Sequence, residues 1–329
     1  MTLAATVDPK ESGTSLTRAL KQLVAIEGHN LPDVVIPLRD LSWTPAGTIV
    51  IPSYGEARPN DWARRQICNL LGIRFDVWFA AASSKDRAEE MSRRLRRAKG
   101  NVRLRLSRTE ELPIVRAVVS PGYTAIEDSM IFDLLTNELR GTETQVRHFD
   151  ATERMTSALI ALGQPQHVGG VVGAVWGSIR ITNSNVGWAG LSVSLSLYRL
   201  ICSNGMRAPT VNAQFVRVRH HSVNINDIQT QLAEGIRSLP ENLSQATRTF
   251  ESSTQWPVVN VEAEARALLR ERRMIQGHHS GVMAAFRREP HESVFGLSQA
   301  ITLYAQQTCP EDRVALEGLA GSYVLRSAP

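Results

Sequence analysis

The side chains able to do covalent chemistry are few and scattered. Cys202, followed by His220 and His221, supplies the ingredients of a thiol nucleophile and its base. A lone cysteine closing a hydrophobic strand is far more often a small core residue, so no catalytic residue is assigned. His278 and His279, with His291 beyond them, suggest a metal. Adjacent histidines on a helix point about 100° apart, and no carboxylate lies four residues from either. They read as surface histidines, and neither a metal nor a cofactor is expected. The run Gly169-Gly170-Val171-Val172-Gly173 lacks both the GxGxxG spacing and a Walker lysine, and it reads as a turn or a strand entry. No HExxH, GxSxG or kinase set is present. The chain reads as a binding protein; a hydrolase or nuclease using Cys202 or a His/Asp set is the remotest alternative.

The arginines are more informative. Residues 85–108 carry ten basic side chains against three acidic ones, a larger surplus than the +5 of all 329 residues. Arg93, Arg96 and Arg97 sit near the C-terminal end of a charged helix, where the macrodipole favours cations. Arg103 and Arg105 follow on one face of the next strand. Two readings stand side by side: a solvated helix end, or a ridge of guanidinium groups tracking a phosphate backbone. A second cluster has Phe215, Arg217, Arg219 and His221 at alternate positions of one strand. An aromatic beside arginines on a sheet face suits single-stranded nucleic acid, where bases stack and phosphates pair. A strand this basic is equally an edge protected against aggregation.

The elements that must position these residues follow from periodicity. Residues 1–14 read as a disordered lead. A helix runs from Ser15 to about Glu27, a second over 61–71 stopped by Gly72, a charged third over 85–99 and a fourth over about 125–140. Residues 34–38, 48–52, 102–106 and 114–119 read as strands, and 75–81 fits either helix or strand. The middle of the chain is β-rich over 171–182, 191–200 and 215–221. In 191–198 leucines and a valine alternate strictly with serines and a tyrosine, so one face is buried and the other is wet or polar. From about 224 the pattern is helical, broken at Pro240, Pro257 and Pro290. The fold class is α+β, with a central antiparallel sheet, flanking helices and a helical C-terminal region: a core over 15–222 and a tail over 223–329.

Composition agrees with a globular chain, 43% hydrophobic and 21% charged. Three distant cysteines form no disulfide framework, the N-terminus has no signal-peptide stretch, and no apolar run is long enough to span a membrane. The chain reads as cytoplasmic.

One stretch is more specific. Asn183-Ser184-Asn185-Val186-Gly187 leads through the alternating strand to Arg199-Leu200-Ile201-Cys202-Ser203-Asn204-Gly205-Met206, and Arg219-His220-His221 follows. This resembles a phage- and plasmid-associated family, domain of unknown function 932, whose members carry an NSxxG element, an R-[LV]-[VI]-C-[ST]-N-G-[LM] element and an R-H pair. Pro113–Tyr123 is similar to that family's arginine-alanine strand. The resemblance covers about residues 113–222, and the first hundred residues depart from it. It implies mobile-element biology with no assigned reaction. In outline such members are similar to phage single-strand annealing proteins, which implies single-stranded DNA as partner and a homo-oligomer, commonly a ring. Independently of the family, Asn183-Ser184 and Asn204-Gly205 are turn formers at the two ends of one strand. Arg199 shares the parity of the buried leucines, so a carboxylate or carbonyls must hold it. These expectations converge on single-stranded DNA binding or annealing without a covalent step; the alternative is an oligomeric structural or interaction protein of a phage or plasmid.

Overall fold

The computed structural model describes residues 5–6, 15–52, 54–171, 173–199, 204–207, 213–221 and 223–329. The lead over 1–14 lies outside the described residues except for Ala5–Thr6, and Cys202 lies outside them altogether. The strands are β1 (Ala5–Thr6), β2 (Asn30–Pro37), β3 (Ser42–Trp43), β4 (Ile49–Ile51), β5 (Gly55–Pro59), β6 (Asn101–Ser107), β7 (Ile114–Val119), β8 (Thr144–Ala151), β9 (Thr156–Leu162), β10 (Gln166–His167), β11 (Ala174–Asn183), β12 (Leu191–Arg199), β13 (Asn204–Arg207) and β14 (Gln214–Val218). They form two sheets. The larger, in the order β1-β8-β9-β11-β12-β13, is antiparallel throughout, with β10 beside β11 and β14 beside β12. The smaller, in the order β2-β6-β7-β5-β4-β3, has one parallel pair, β5 with β7.

The helices are α1 (Leu16–Glu27), α2 (Asp61–Leu70), α3 (Ser84–Arg97), α4 (Asp128–Glu138), α5 (Ile225–Arg237), α6 (Leu239–Ser252), α7 (Val261–Glu271), α8 (Ile275–Phe286), α9 (Val294–Ala305) and α10 (Pro310–Arg326). Their ends follow local chemistry. Ser15, Asn60 and Ser83 cap α1, α2 and α3 by accepting from backbone N–H groups. Gly72 stops α2 at φ 66°, and Pro240 sits in the first turn of α6, where a missing N–H costs nothing. Residues Phe75–Phe79, ambiguous by periodicity, form one turn of π-helix.

Three apolar cores hold the layers. Helices α2 and α3 cover the smaller sheet through Ile67, Met91 and Leu95. Helices α1, α4 and α5 cover part of the larger sheet through Leu23, Phe132 and Leu232. The C-terminal helices pack on the same sheet around Phe250, Leu297 and Leu319, so the helical tail is continuous with the sheet's core. The alternation in β12 holds, with Leu191, Val193, Leu195 and Leu197 buried. The opposite face is polar but dry: Ser178, Ser194 and Ser196 are buried too. Arg180 lies on this face opposite Ser194 and pairs with Glu317, which brings α10 over it.

Candidate nucleic-acid interface

The first of the family-motif elements, the turn from Ser184 to Gly187, is a clasp between the sheets. Asn183 ends β11, and the turn after it enters the smaller sheet's side. Trp62 Nε1 and Gln66 Nε2, both from α2, donate to the Val186 carbonyl at 2.9 and 3.0 Å. Arg105 of β6 donates to the Asn185 carbonyl, Arg116 of β7 donates to Asn185 Oδ1 at 2.8 Å, and Tyr123 donates to the Ser184 carbonyl at 2.9 Å. Ser184 Oγ donates to the Arg154 carbonyl and accepts from the Trp188 N–H at 2.9 Å. Gly187 is required twice over: its φ is +79°, and a Cβ there would stand 2.9 Å from Val119 Cγ1.

Behind the turn lies a buried polar cluster. Asn183 Nδ2 donates to Asp128 Oδ1 and to the Ile126 carbonyl, both at 2.8 Å, and Thr156 donates to Asp128 Oδ2 at 2.8 Å. Burial pushes the Asp128 carboxyl up to about 7, against the pull of those two hydrogen bonds. His220 stacks on Tyr123 at 5.1 Å, with its ring nitrogens 3.1 Å from the Thr124 carbonyl and 3.0 Å from Asn183 Oδ1. Burial lowers its pKa while the Thr124 contact opposes the change. The adjoining cavity, walled by Glu27, Arg116, Asp128 and Asn185, measures about 40 Å³ and is too small for an organic ligand. Asn183, Ser184, Gly187 and His220 are thus built into the joint. Asn204 and Gly205 open β13 opposite Arg199 and Tyr198, at the far end of β12 from the turn. Arg199 is 2% exposed and pairs with Glu289 at 2.6 Å, the carboxylate its parity demanded.

The predicted phosphate ligands are redistributed by the same contacts. Arg105 is 5% exposed and is held by Glu127, Asp33 and the Asn185 carbonyl, so it cannot reach a phosphate. Arg103 does share its face, but it donates to the Pro121 carbonyl at 2.7 Å and pairs with Asp33 at 3.5 Å. That face of β6 turns inward onto the clasp, which is why the expected ridge does not form. Arg93 binds Glu90, whereas Arg96 and Arg97 are exposed and make no ion pair among the described residues. Phe215 is not a free stacking surface: its ring lies under α5, against Gly235, where only a glycine leaves room. Arg217 and Arg219 are exposed on and just beyond β14, an edge strand, where cations also discourage edge-to-edge pairing. Of the described cysteines, Cys68 is buried and its thiol is pushed up to about 11, which removes it as a nucleophile. No group of three His, Cys, Asp or Glu among the described residues is arranged to hold a metal, and no described helix is long and apolar enough to cross a membrane.

The structure brings together a different set of arginines and aromatics. An open groove of about 660 Å³ runs between α2, the π-turn and the turn joining β8 to β9. It is lined by Trp62, Phe75 and Val77 and by Arg65, Arg74 and Arg154, with Asp76 the one carboxylate in its wall. The Arg65 guanidinium lies 4.2 Å from the Phe75 centroid, and that of Arg154 lies 5.6 Å from Trp62. Arg65 is neutralised by Asp61 and Asp76 at 3.1 and 2.8 Å; Arg74 and Arg154 make no ion pair among the described residues. Trp188, 36% exposed, follows the clasped turn two residues after Val186. Sequence reasoning missed this groove. Its one local signal was Trp62 and Phe75 among arginines, and Arg154 arrives from far along the chain.

Neither a curated protein nor a solved structure matches the chain. A family model does, over residues 115–317, from the second residue of β7 into α10. The match takes in the clasped turn, the buried cluster and most of the helical tail, while Arg154 is the only arginine of the groove inside it. Since it spans more than half of the chain, the chain belongs to the family described as a domain of unknown function (DUF932).

Proposed function

We propose that this chain binds single-stranded DNA, without a covalent step, in the groove over α2 and the π-turn, as a protein of a mobile element. The observation that carries the reading is the groove wall itself: half-buried Trp62 and Phe75 interleaved with three guanidinium groups, of which those of Arg74 and Arg154 make no ion pair among the described residues. Aromatic faces accept any base, and the guanidinium groups follow the phosphates without reading sequence. The exposed Arg217 and Arg219 add a second basic surface. A cavity of about 40 Å³ behind the motif leaves no room for a substrate, which favours binding over catalysis there.

The test is fluorescence anisotropy of a labelled single strand of roughly forty nucleotides, long enough to cover several sites of about 4–16 nucleotides. If the guanidinium groups of Arg74 and Arg154 neutralise two phosphates, affinity falls about sevenfold between 50 and 200 mM salt, from a slope of about −0.7 per phosphate. Trp62→Ala weakens binding by about tenfold or more, the cost of one lost stacking contact of about 1–3 kcal/mol. Arg74→Ala with Arg154→Ala flattens the salt dependence. Absence of binding at low salt by folded protein refutes the proposal.

A further inference from the structure

On the other side of the π-turn lies a second pocket, of about 150 Å³, walled by Trp43, Gly47, Arg64, Phe79, Ser84 and Arg87. Its wall contains two guanidinium groups and no carboxylate. Neither Arg64 nor Arg87 makes an ion pair among the described residues, and Arg64 Nε is buried with no hydrogen-bond partner. Two guanidinium charges without a carboxylate partner in one wall mark a place where an anion would be held. Arg87 is already oriented: its Nε donates to the Ala82 carbonyl at 3.0 Å and its guanidinium lies 5.4 Å from the Phe79 centroid. Ser84 opens α3, a helix of fourteen residues, and the N–H groups of Ser84 and Lys85 have no intrahelical acceptor. Asp86, in the same turn, is engaged by Ser83 at 2.7 Å and is not part of the wall.

We infer that this pocket binds a phosphate monoester. Two uncompensated guanidinium groups match a dianion better than the single charge of a phosphodiester or a carboxylate, and their planar forks suit phosphate oxygens. Trp43 and Phe79, edge to face at 5.7 Å and both buried, form the apolar floor of the pocket beneath the guanidinium groups. Phe79 also stacks on Phe75 at 5.1 Å, so one pair of rings separates this pocket from the groove. On the nucleic-acid reading, on which this assignment of the source rests, the monoester is the 5′-terminal phosphate of the bound strand.

Isothermal titration calorimetry of the full chain with inorganic phosphate, thymidine 5′-monophosphate and thymidine tests the site. Both phosphates are expected to bind and thymidine is not. Arg64→Gln and Arg87→Gln each weaken binding by about tenfold or more, the size of one lost charge-assisted hydrogen bond, while Lys99→Gln leaves it unchanged. Circular dichroism checks that the variants fold. No binding of either phosphate to folded wild-type protein, or binding unaltered in both arginine variants, overturns the proposal. Comparing 5′-phosphorylated with 5′-hydroxyl oligonucleotides then separates the sources. A preference for the phosphorylated strand that Arg87→Gln abolishes supports the strand end. Equal affinity for the two strands, with the monophosphate still bound, supports a free phosphomonoester as the ligand. Monophosphate binding without any strand binding overturns the groove reading and leaves this one standing.

Discussion

Replacing Asp128 by Asn changes how stability responds to pH, and the size of the change follows from the burial of that carboxyl. In the folded chain the group titrates at about 7, against an ordinary value of 3.8. Between those values the folded state holds a proton that the unfolded state has released, so stability falls as pH rises through the window and the loss is complete above about 7. From pH 5 to pH 8 the linkage integral gives a loss of about 2–3 kcal/mol from this one group. Asn at 128 keeps an acceptor for Asn183 Nδ2, and the Thr156 hydroxyl can turn to accept from the new amide. The variant therefore keeps the geometry and loses the titration. Urea unfolding of both proteins at pH 5, 6, 7 and 8 reads the difference directly. His148, His220 and Asp150 also shift, but they titrate in both proteins and cancel in the comparison. Relative to wild type, Asp128→Asn gains about 2–3 kcal/mol on going from pH 5 to pH 8. Curves that stay parallel, or that diverge with wild type gaining as pH rises, refute the account of a carboxyl held neutral by burial.

Three further outcomes are expected. Gly187→Ala must place a side chain at φ +79° and 2.9 Å from Val119, and costs about 2–5 kcal/mol by denaturant unfolding; a loss below about 1 kcal/mol counts against the clasp. Glu317→Gln leaves Arg180 buried without its carboxylate, in a cluster where Arg180 and Arg313 are balanced by Asp150 and Glu317, and costs about 3–5 kcal/mol, most of which is restored in an Arg180→Met/Glu317→Leu double variant. Phe215→Ala destabilises the fold by about 3 kcal/mol and leaves strand affinity per folded molecule unchanged, since its ring packs under α5; a selective loss of affinity would return it to the interface.

Much of the fold was legible where the pattern is local. The serines between the leucines of β12, the cap at Ser15, and the prolines that divide the tail all act within a few residues of themselves. Strands β8 and β9 were not. β9 reads Thr-Ser-Ala-Leu-Ile-Ala-Leu and is buried on both faces up to its last residue, so it shows an apolar run without alternation. The second sheet was hidden for another reason: β5 joins β7 in parallel across more than fifty residues, and no local signal announces such a pairing. Arginine roles were hardest. Counting charge in 85–108 found the surplus, but Arg105 owes its place to Glu127 and Asn185, and neither stands near it in sequence. The groove fails by the same logic, because Arg154 and Trp62 meet only once both sheets are formed.

The turn from Ser184 to Gly187 also bears on what counts as one unit. Three of its carbonyls, those of Ser184, Asn185 and Val186, are satisfied from α2, β6 and Tyr123. Parting the two sheets would orphan those carbonyls along with the donors that serve them, at about 1–3 kcal/mol for each group left buried. The lobes, although they own separate cores, are therefore expected to melt together in one transition by calorimetry. The family match starts inside β7, severing it from its partner β6 and leaving Trp62, Gln66 and Arg105 outside. A fragment cut at that boundary would expose the face of the turn that the N-terminal lobe grips. In this chain, the limit of sequence kinship runs through the middle of a folding unit.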